Sequence, residues 1–159
     1  MIKIDHNLLK TISRQAKQSP RLRMNYNFHS GSEDTLQRML NAMEPGTYIC
    51  PHKHENPDKR EVFFALKGTI CLVEFDDKGN IRDHTIIKPD GDCPGVEIPE
   101  RTYHTVISLE PGSVAYELKD GPYNPTEDKN FATWAPPEGS PEATYYLTKL
   151  ISTLNLPIS

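Results

Sequence analysis

Leu8, Leu9, Ile12 and Ala16 fall near the i, i+4, i+8 spacing of one helical face, and Ser19-Pro20 stops the pattern. A short helix therefore opens the chain. From Arg21 to His29 the period changes to two. Leu22, Met24, Tyr26 and Phe28 point one way, and Arg21, Arg23, Asn25, Asn27 and His29 the other, which predicts a strand with one apolar face and one face rich in hydrogen-bond donors. A polar turn at 30–34 leads to a second strand at 37–43. Further β-like runs follow at 47–54, 61–67, 69–75, 81–87, 96–99, 102–109 and 113–119. Between them, Glu44-Pro45-Gly46-Thr47 and Glu110-Pro111-Gly112-Ser113 carry the proline-before-glycine chemistry of type II turns. Residues 76–80 read as a hairpin connection, 88–95 as a Pro/Gly loop, and 121–125 and 134–137 as extended loop. Leu147, Leu150, Ile151 and Leu154 then repeat at i, i+3, i+4 and i+7, so an amphipathic helix closes the chain. Many short strands in series predict an all-β jelly roll or similar barrel. The expected division is a helical segment at 1–20, a barrel with its closing loop at 21–139, and a helix at 140–159 packed on the barrel.

Composition narrows the partners. A chain of 159 residues suffices for one domain with a real core. Eighteen basic against twenty-two acidic residues, net charge −4, lack the electrostatic footprint of a nucleic-acid or anionic-membrane binder. No apolar run reaches 18 residues and the N-terminal stretch is too polar for a signal peptide, so a cytoplasmic protein is expected. Cys50, Cys71 and Cys93 fit neither a disulfide framework nor a paired zinc motif, which makes them reduced thiols.

The chemistry concentrates around His52-Lys53-His54. On a strand these two histidines share a face, about 7 Å apart at Cα, and can converge on one ion. Glu61 begins the next run, where antiparallel return brings its carboxylate towards them, and Pro99 leads a turn that can aim His104 into the same barrel mouth. Burying three imidazoles and a carboxylate together is costly unless a metal compensates all four. Pocket histidines without a metal, one serving as a base, are the alternative. On the donor-rich face of 21–29, Arg23, Asn25 and His29 suit recognition of a hydroxylated or anionic ligand, or a dimer interface. Cys50 shares parity with His52 and would lie inside near the metal, and Trp134 would anchor the closing loop. Ile49, Val62, Phe64 and Leu66 face outward in this reading and need cover, which points to a homodimer.

Gly46, His52, His54, Glu61 and Gly68 resemble the first motif of the cupin superfamily, with a spacer of six residues before the glutamate where three or four is usual. Pro99 and His104 match the second motif, with Arg101 at its glycine and Ser108 at its asparagine. The stretches 21–29, 37–54 and 116–136 further resemble the WbuC-type cupin-fold metalloproteins, a family associated with bacterial surface-polysaccharide gene clusters. The resemblance implies a double-stranded β-helix holding one divalent transition metal (zinc, iron, manganese or nickel) on His52, His54, Glu61 and His104. It also implies Glu117, Lys119 and Tyr123 as pocket residues. The function expected is that of a metal-dependent enzyme isomerising or epimerising a small carbohydrate-derived substrate. In it, Glu117 or His29 moves a proton and Arg23 with Asn25 grips hydroxyls or phosphate. An iron-dependent dioxygenase and a non-catalytic metal-dependent binding protein are the competing expectations.

Overall fold

The computed structural model describes residues 1–124 and 129–158. Pro125, part of the expected loop at 121–125, lies outside the described residues. Helix α1 (His6–Gln18) is followed by β1 (Arg23–Asn27), β2 (Leu36–Met43), β3 (His52–Lys53), β4 (Glu61–Lys67) and β5 (Ile70–Phe75). Strands β6 (Ile81–Ile87), β7 (Gly95–Ile98), β8 (Tyr103–Ser108), β9 (Ser113–Asp120) and β10 (Asn130–Phe131) precede the closing helix α2 (Pro141–Thr153). The strands pair antiparallel into two five-stranded sheets, ordered β1-β2-β9-β4-β7 and β10-β3-β8-β5-β6.

Alternation along the strands sorts the side chains into layers. Met43, Phe63, Ala65, Ile70, Leu72, Ile98, Val106 and Ala115 fill the space between the sheets. On the outer side of the first sheet, Leu9, Ile12 and Ala16 of α1 cover Leu40, Ala42 and Val114. Asp5 caps that helix, its Oδ1 accepting the Leu8 N–H at 2.9 Å. On the outer side of the second sheet, Leu147 and Leu150 of α2 cover Cys71, Val73 and Ile107. Both proline-glycine corners carry the positive φ expected of them, 91° at Gly46 and 71° at Gly112.

Three expectations are corrected. The run 47–54 forms a ladder only at His52–Lys53, because its carbonyls are claimed elsewhere: Arg23 Nη1 donates to Tyr48 O, Thr105 Oγ1 to Ile49 O and Ala132 N–H to Pro51 O. With regular pairing absent, the parity argument fails there. Ile49 packs into the core between the sheets, whereas Cys50 is buried between the layer under α2 and the cavity beside the histidines, with its carbonyl against His52 Nδ1. The segment after β9 was expected as loop, but Asn130–Phe131 pairs with Lys53 and His52 as an added strand. In β1, Met24 and Tyr26 are exposed on one side, while Arg23, Asn25 and Asn27 on the other side line a cavity.

Candidate metal centre and its cavity

His52, His54, Glu61 and His104 come together at the end of the inter-sheet space where β4 and β8 begin. His52 and His104 are direct cross-strand partners, and Glu61 lies across from Lys119. All four are buried, and one ligating atom from each lies within 4.8 Å of the others. Nδ1 of His52 lies 2.9 Å from Cys50 O, and Nδ1 of His104 lies 2.9 Å from Thr102 O. A carbonyl can only accept, so these contacts put the proton on Nδ1 and turn a bare Nε2 towards the cluster. Glu61 Oε2 is 2.7 Å from His104 Nε2 and 3.2 Å from His54 Nε2. Neither Glu61 Oε2 nor His104 Nε2 completes a hydrogen bond among the described residues. Two acceptors at 2.7 Å repel unless a cation or a proton lies between them. The donor set therefore fits a metal: three imidazole nitrogens and one carboxylate oxygen, with carbonyls fixing ring orientation behind two of them.

Electrostatics agree with that fit. Burial, aided by the charge of Lys129, lowers the basicity of His52 well below the ordinary imidazole range. Burial alone would raise the Glu61 carboxyl, but positive charge or N–H donation on the His104 and His54 side outweighs it and holds it well below the usual carboxylate range. The two departures from the cupin motif are also accommodated. Arg101, standing where the motif has glycine, adopts φ 59°. Its N–H donates to His54 O at 3.1 Å and its guanidinium grips Asp58 at 2.7 Å. Ser108, standing where the motif has asparagine, donates to Met43 O and Glu110 O.

Beside the cluster lies a cavity of about 670 Å³. Its wall is the inner face of β1, β2 and β9, closed by residues from 129 to 138. The cross-strand rows Asn25–Asn41, Asn27–Met39–Glu117 and Gln37–Lys119–Glu61 lead along that wall to the metal centre. Among the described residues, the four cluster side chains do not themselves line the cavity. Lys119, opposite Glu61, and Phe131, whose ring is 6.0 Å from that of His52, join the two.

Every pocket residue expected from sequence lies on this cavity: Arg23, Asn25, His29, Glu117, Lys119 and Tyr123. Glu117 is buried and accepts from Asn41 Nδ2 at 2.9 Å. Burial, reinforced by the nearby charge of Glu61, pushes its carboxyl upward, with Lys119, Lys129 and Asn41 acting against the shift. The buried Lys119 directs its ammonium over the Tyr123 ring, 5.5 Å from the centroid. Nδ1 of His29 lies 3.1 Å from both the N–H and the carbonyl of Arg38, so either tautomer finds a partner. The guanidinium of Arg23 is held by Glu138 at 2.5 Å and by Tyr48 O at 2.9 Å.

Gln37, Met39, Asn41, Phe131 and Glu138 also line the cavity and escaped sequence reading. The first three were detectable, since they alternate along β2, where Met39 and Asn41 pair with Asn27 and Asn25 on the donor-rich face of β1. Glu138 had no local signal, its partner Arg23 being 115 residues away.

Two antiparallel sheets enclosing a buried His₃Glu cluster define a cupin-fold protein with a candidate metal site. The chain belongs to the family described as Domain of unknown function (DUF6016), whose model matches residues 4–87. No curated protein matches the chain. Among solved structures it is similar to KdgF from Halomonas sp., at 19% identity and TM-score 0.51 over 67% of this chain and 84% of that one. It is similar to the capsular polysaccharide assembling protein CapF from Staphylococcus aureus, at 18% identity and TM-score 0.55 over 69% of this chain. The match spans only 31% of CapF. A third similar structure is L-ribose isomerase from Cellulomonas parahominis, at 15% identity and TM-score 0.51 over 70% of this chain and 63% of that one. At these identities the likeness concerns the fold. Among the described residues, no helix is long and apolar enough to cross a membrane.

Proposed function

We propose that the protein is a metal-dependent enzyme that isomerises or epimerises a small carbohydrate-derived molecule, akin to the WbuC-type proteins of bacterial surface-polysaccharide metabolism. The observation that carries this reading is Glu117: a buried carboxyl on the cavity wall, pushed upward in pKa by that burial and lying one row of side chains from Glu61. The substrate class draws support from the similarity to a capsular polysaccharide assembling protein and to a sugar isomerase. His52, His54, Glu61 and His104 would hold one divalent transition metal, which when bound polarises a carbonyl or hydroxyl. With Asn41 holding Oε2 of Glu117, Oε1 is the oxygen left to give or take a proton. His29 is the second proton carrier, its Nδ1 backed by the Arg38 peptide. Arg23, Asn25 and Lys119 orient hydroxyls, Tyr123 offers a ring face, and the segment with Phe131 and Ala135 excludes water. In the same reading the protein is a cytoplasmic homodimer, with the exposed Phe64 among the residues covered.

The test is a screen of sugar phosphates and nucleotide sugars against the metal-loaded protein, following solvent deuterium incorporation and isomer formation by NMR. Turnover is expected, and Glu117→Gln should lower it by about a hundredfold or more while metal content is unchanged. No turnover and no thermal stabilisation with any metal form contradicts the proposal, as does iron-dependent oxygen uptake in place of isomerisation.

A further inference from the structure

A molecule held in the cavity does not meet the His₃Glu cluster in this structure. His52, His54, Glu61 and His104 are each 3% exposed or less, and among the described residues none of the four lines the cavity. Contact between the two requires a side chain to move. The cross-strand registers show which side chains stand at the junction. On one sheet the row through the cluster runs Gln37–Lys119–Glu61, and on the other it runs Phe131–His52–His104. Direct cross-strand partners share a face, and Lys119 and Phe131 line the cavity while their row neighbours belong to the cluster.

These two residues differ in how firmly they are held. Lys119 is 5% exposed and lies on the eight-residue β9, paired on both sides by β2 and β4. Phe131 is 54% exposed, and its ring meets that of His52 with centroids 6.0 Å apart. Its backbone is pinned nonetheless. Asn130–Phe131 pairs with Lys53 and His52, Asn130 Oδ1 accepts the Glu55 N–H at 3.0 Å, and the Ala132 N–H donates to Pro51 O at 2.8 Å. With the backbone fixed and the ring half open to solvent, rotation of the Phe131 side chain between its staggered wells is the least costly motion at this junction.

We propose that the Phe131 ring is a gate between the cavity and the metal centre, closing it when packed on His52 and admitting a ligand atom when rotated away. Phe131 is then the residue that decides how bulky a molecule reaches the ion. This inference rests on the metal reading of the cluster and is independent of the isomerase chemistry.

Removal of the metal by a chelator reads the gate without any substrate. The full chain is loaded with cobalt(II), whose visible absorption reports its coordination, and pyridine-2,6-dicarboxylate then withdraws it at increasing concentrations. The slope of rate against chelator concentration measures attack through the open gate, and the intercept measures spontaneous loss. Phe131→Ala, at an exposed position where folding is not at issue, is expected to raise the slope about tenfold, the population factor that one aromatic ring contact controls. Its intercept and cobalt stoichiometry should be unchanged. Phe131→Trp keeps a ring at the junction and should give a slope no higher than that of the unaltered protein. An unchanged slope in Phe131→Ala overturns the gate and leaves the metal site standing, as does a Phe131→Trp slope as high as that of the alanine variant. A raised intercept in Phe131→Ala also overturns it, by showing that the ring holds His52 in place instead of controlling access. Failure of the unaltered chain to take up cobalt overturns the metal reading and the gate together.

Discussion

At His52 and His104 a backbone carbonyl two residues earlier takes the Nδ1 proton, so each ring meets the cluster through Nε2. The residues that could hold the metal were legible from spacing alone, because a two-residue step on a strand and an antiparallel return bring them to one place. The carbonyls behind the rings were not legible, since they depend on turns that spacing does not specify. Gly68 shows the same division. Sequence marks it as a motif glycine, whereas the structure gives the cause. It adopts φ 72°, and a Cβ there would lie 2.3 Å from Ser113 Oγ and 2.9 Å from Ser113 Cα, atoms fixed by β9. Gly68→Ala is expected to destabilise the fold by about 2–3 kcal/mol through strain and overlap, read as a lowered urea midpoint. An unchanged midpoint would mean that this corner yields freely.

Among the elements, those with an apolar face against a neighbouring layer were the most legible. The core strands at 61–67, 69–75, 81–87 and 102–109 appear within one residue of their expected bounds, and so does the strand at 37–43. Both helices form where their apolar stripes lie, with Leu9, Ile12 and Ala16 buried on one and Leu147 and Leu150 on the other. What escaped were elements defined by partners rather than by their own pattern. The run before His52 looks like a strand in hydrophobicity, but Pro51 has no N–H to contribute and three carbonyls there go to Arg23, Thr105 and Ala132. The two residues of β10 carry too little pattern to announce a strand, yet they bring Phe131 over His52. In β1, by contrast, the alternation and the recognition chemistry of its donor-rich face were both legible. A chain segment with one apolar and one polar face ordinarily buries the former, and here the polar face is the one that walls a cavity.

Taken as a whole, the molecule stacks helix, sheet, sheet and helix, and gathers His52, His54, Glu61 and His104 at one end of the inter-sheet space. That placement sets a pH dependence for the metal-free protein. His52 is depressed below 6.5, so the unfolded chain takes up a proton there that the folded one refuses. Its contribution is complete above about pH 6.5 and lost as pH falls. Glu61, depressed below 4.5, acts in the same direction at lower pH. Glu117 is raised and acts oppositely, its contribution being lost as pH rises through its folded value. The urea midpoint of the metal-free protein is therefore expected to fall on acidification from about pH 7 to pH 5, as the His52 contribution is lost. A midpoint that holds steady across that window would show that His52 is not kept neutral by burial.

The central claim is that one ion joins His52, His54, Glu61 and His104. Elemental analysis of protein purified without added metal, compared with His52→Ala and His104→Ala, tests it most directly. The account predicts a stoichiometric divalent transition metal in the unaltered protein and its loss from both variants. Full metal content in both variants would contradict it.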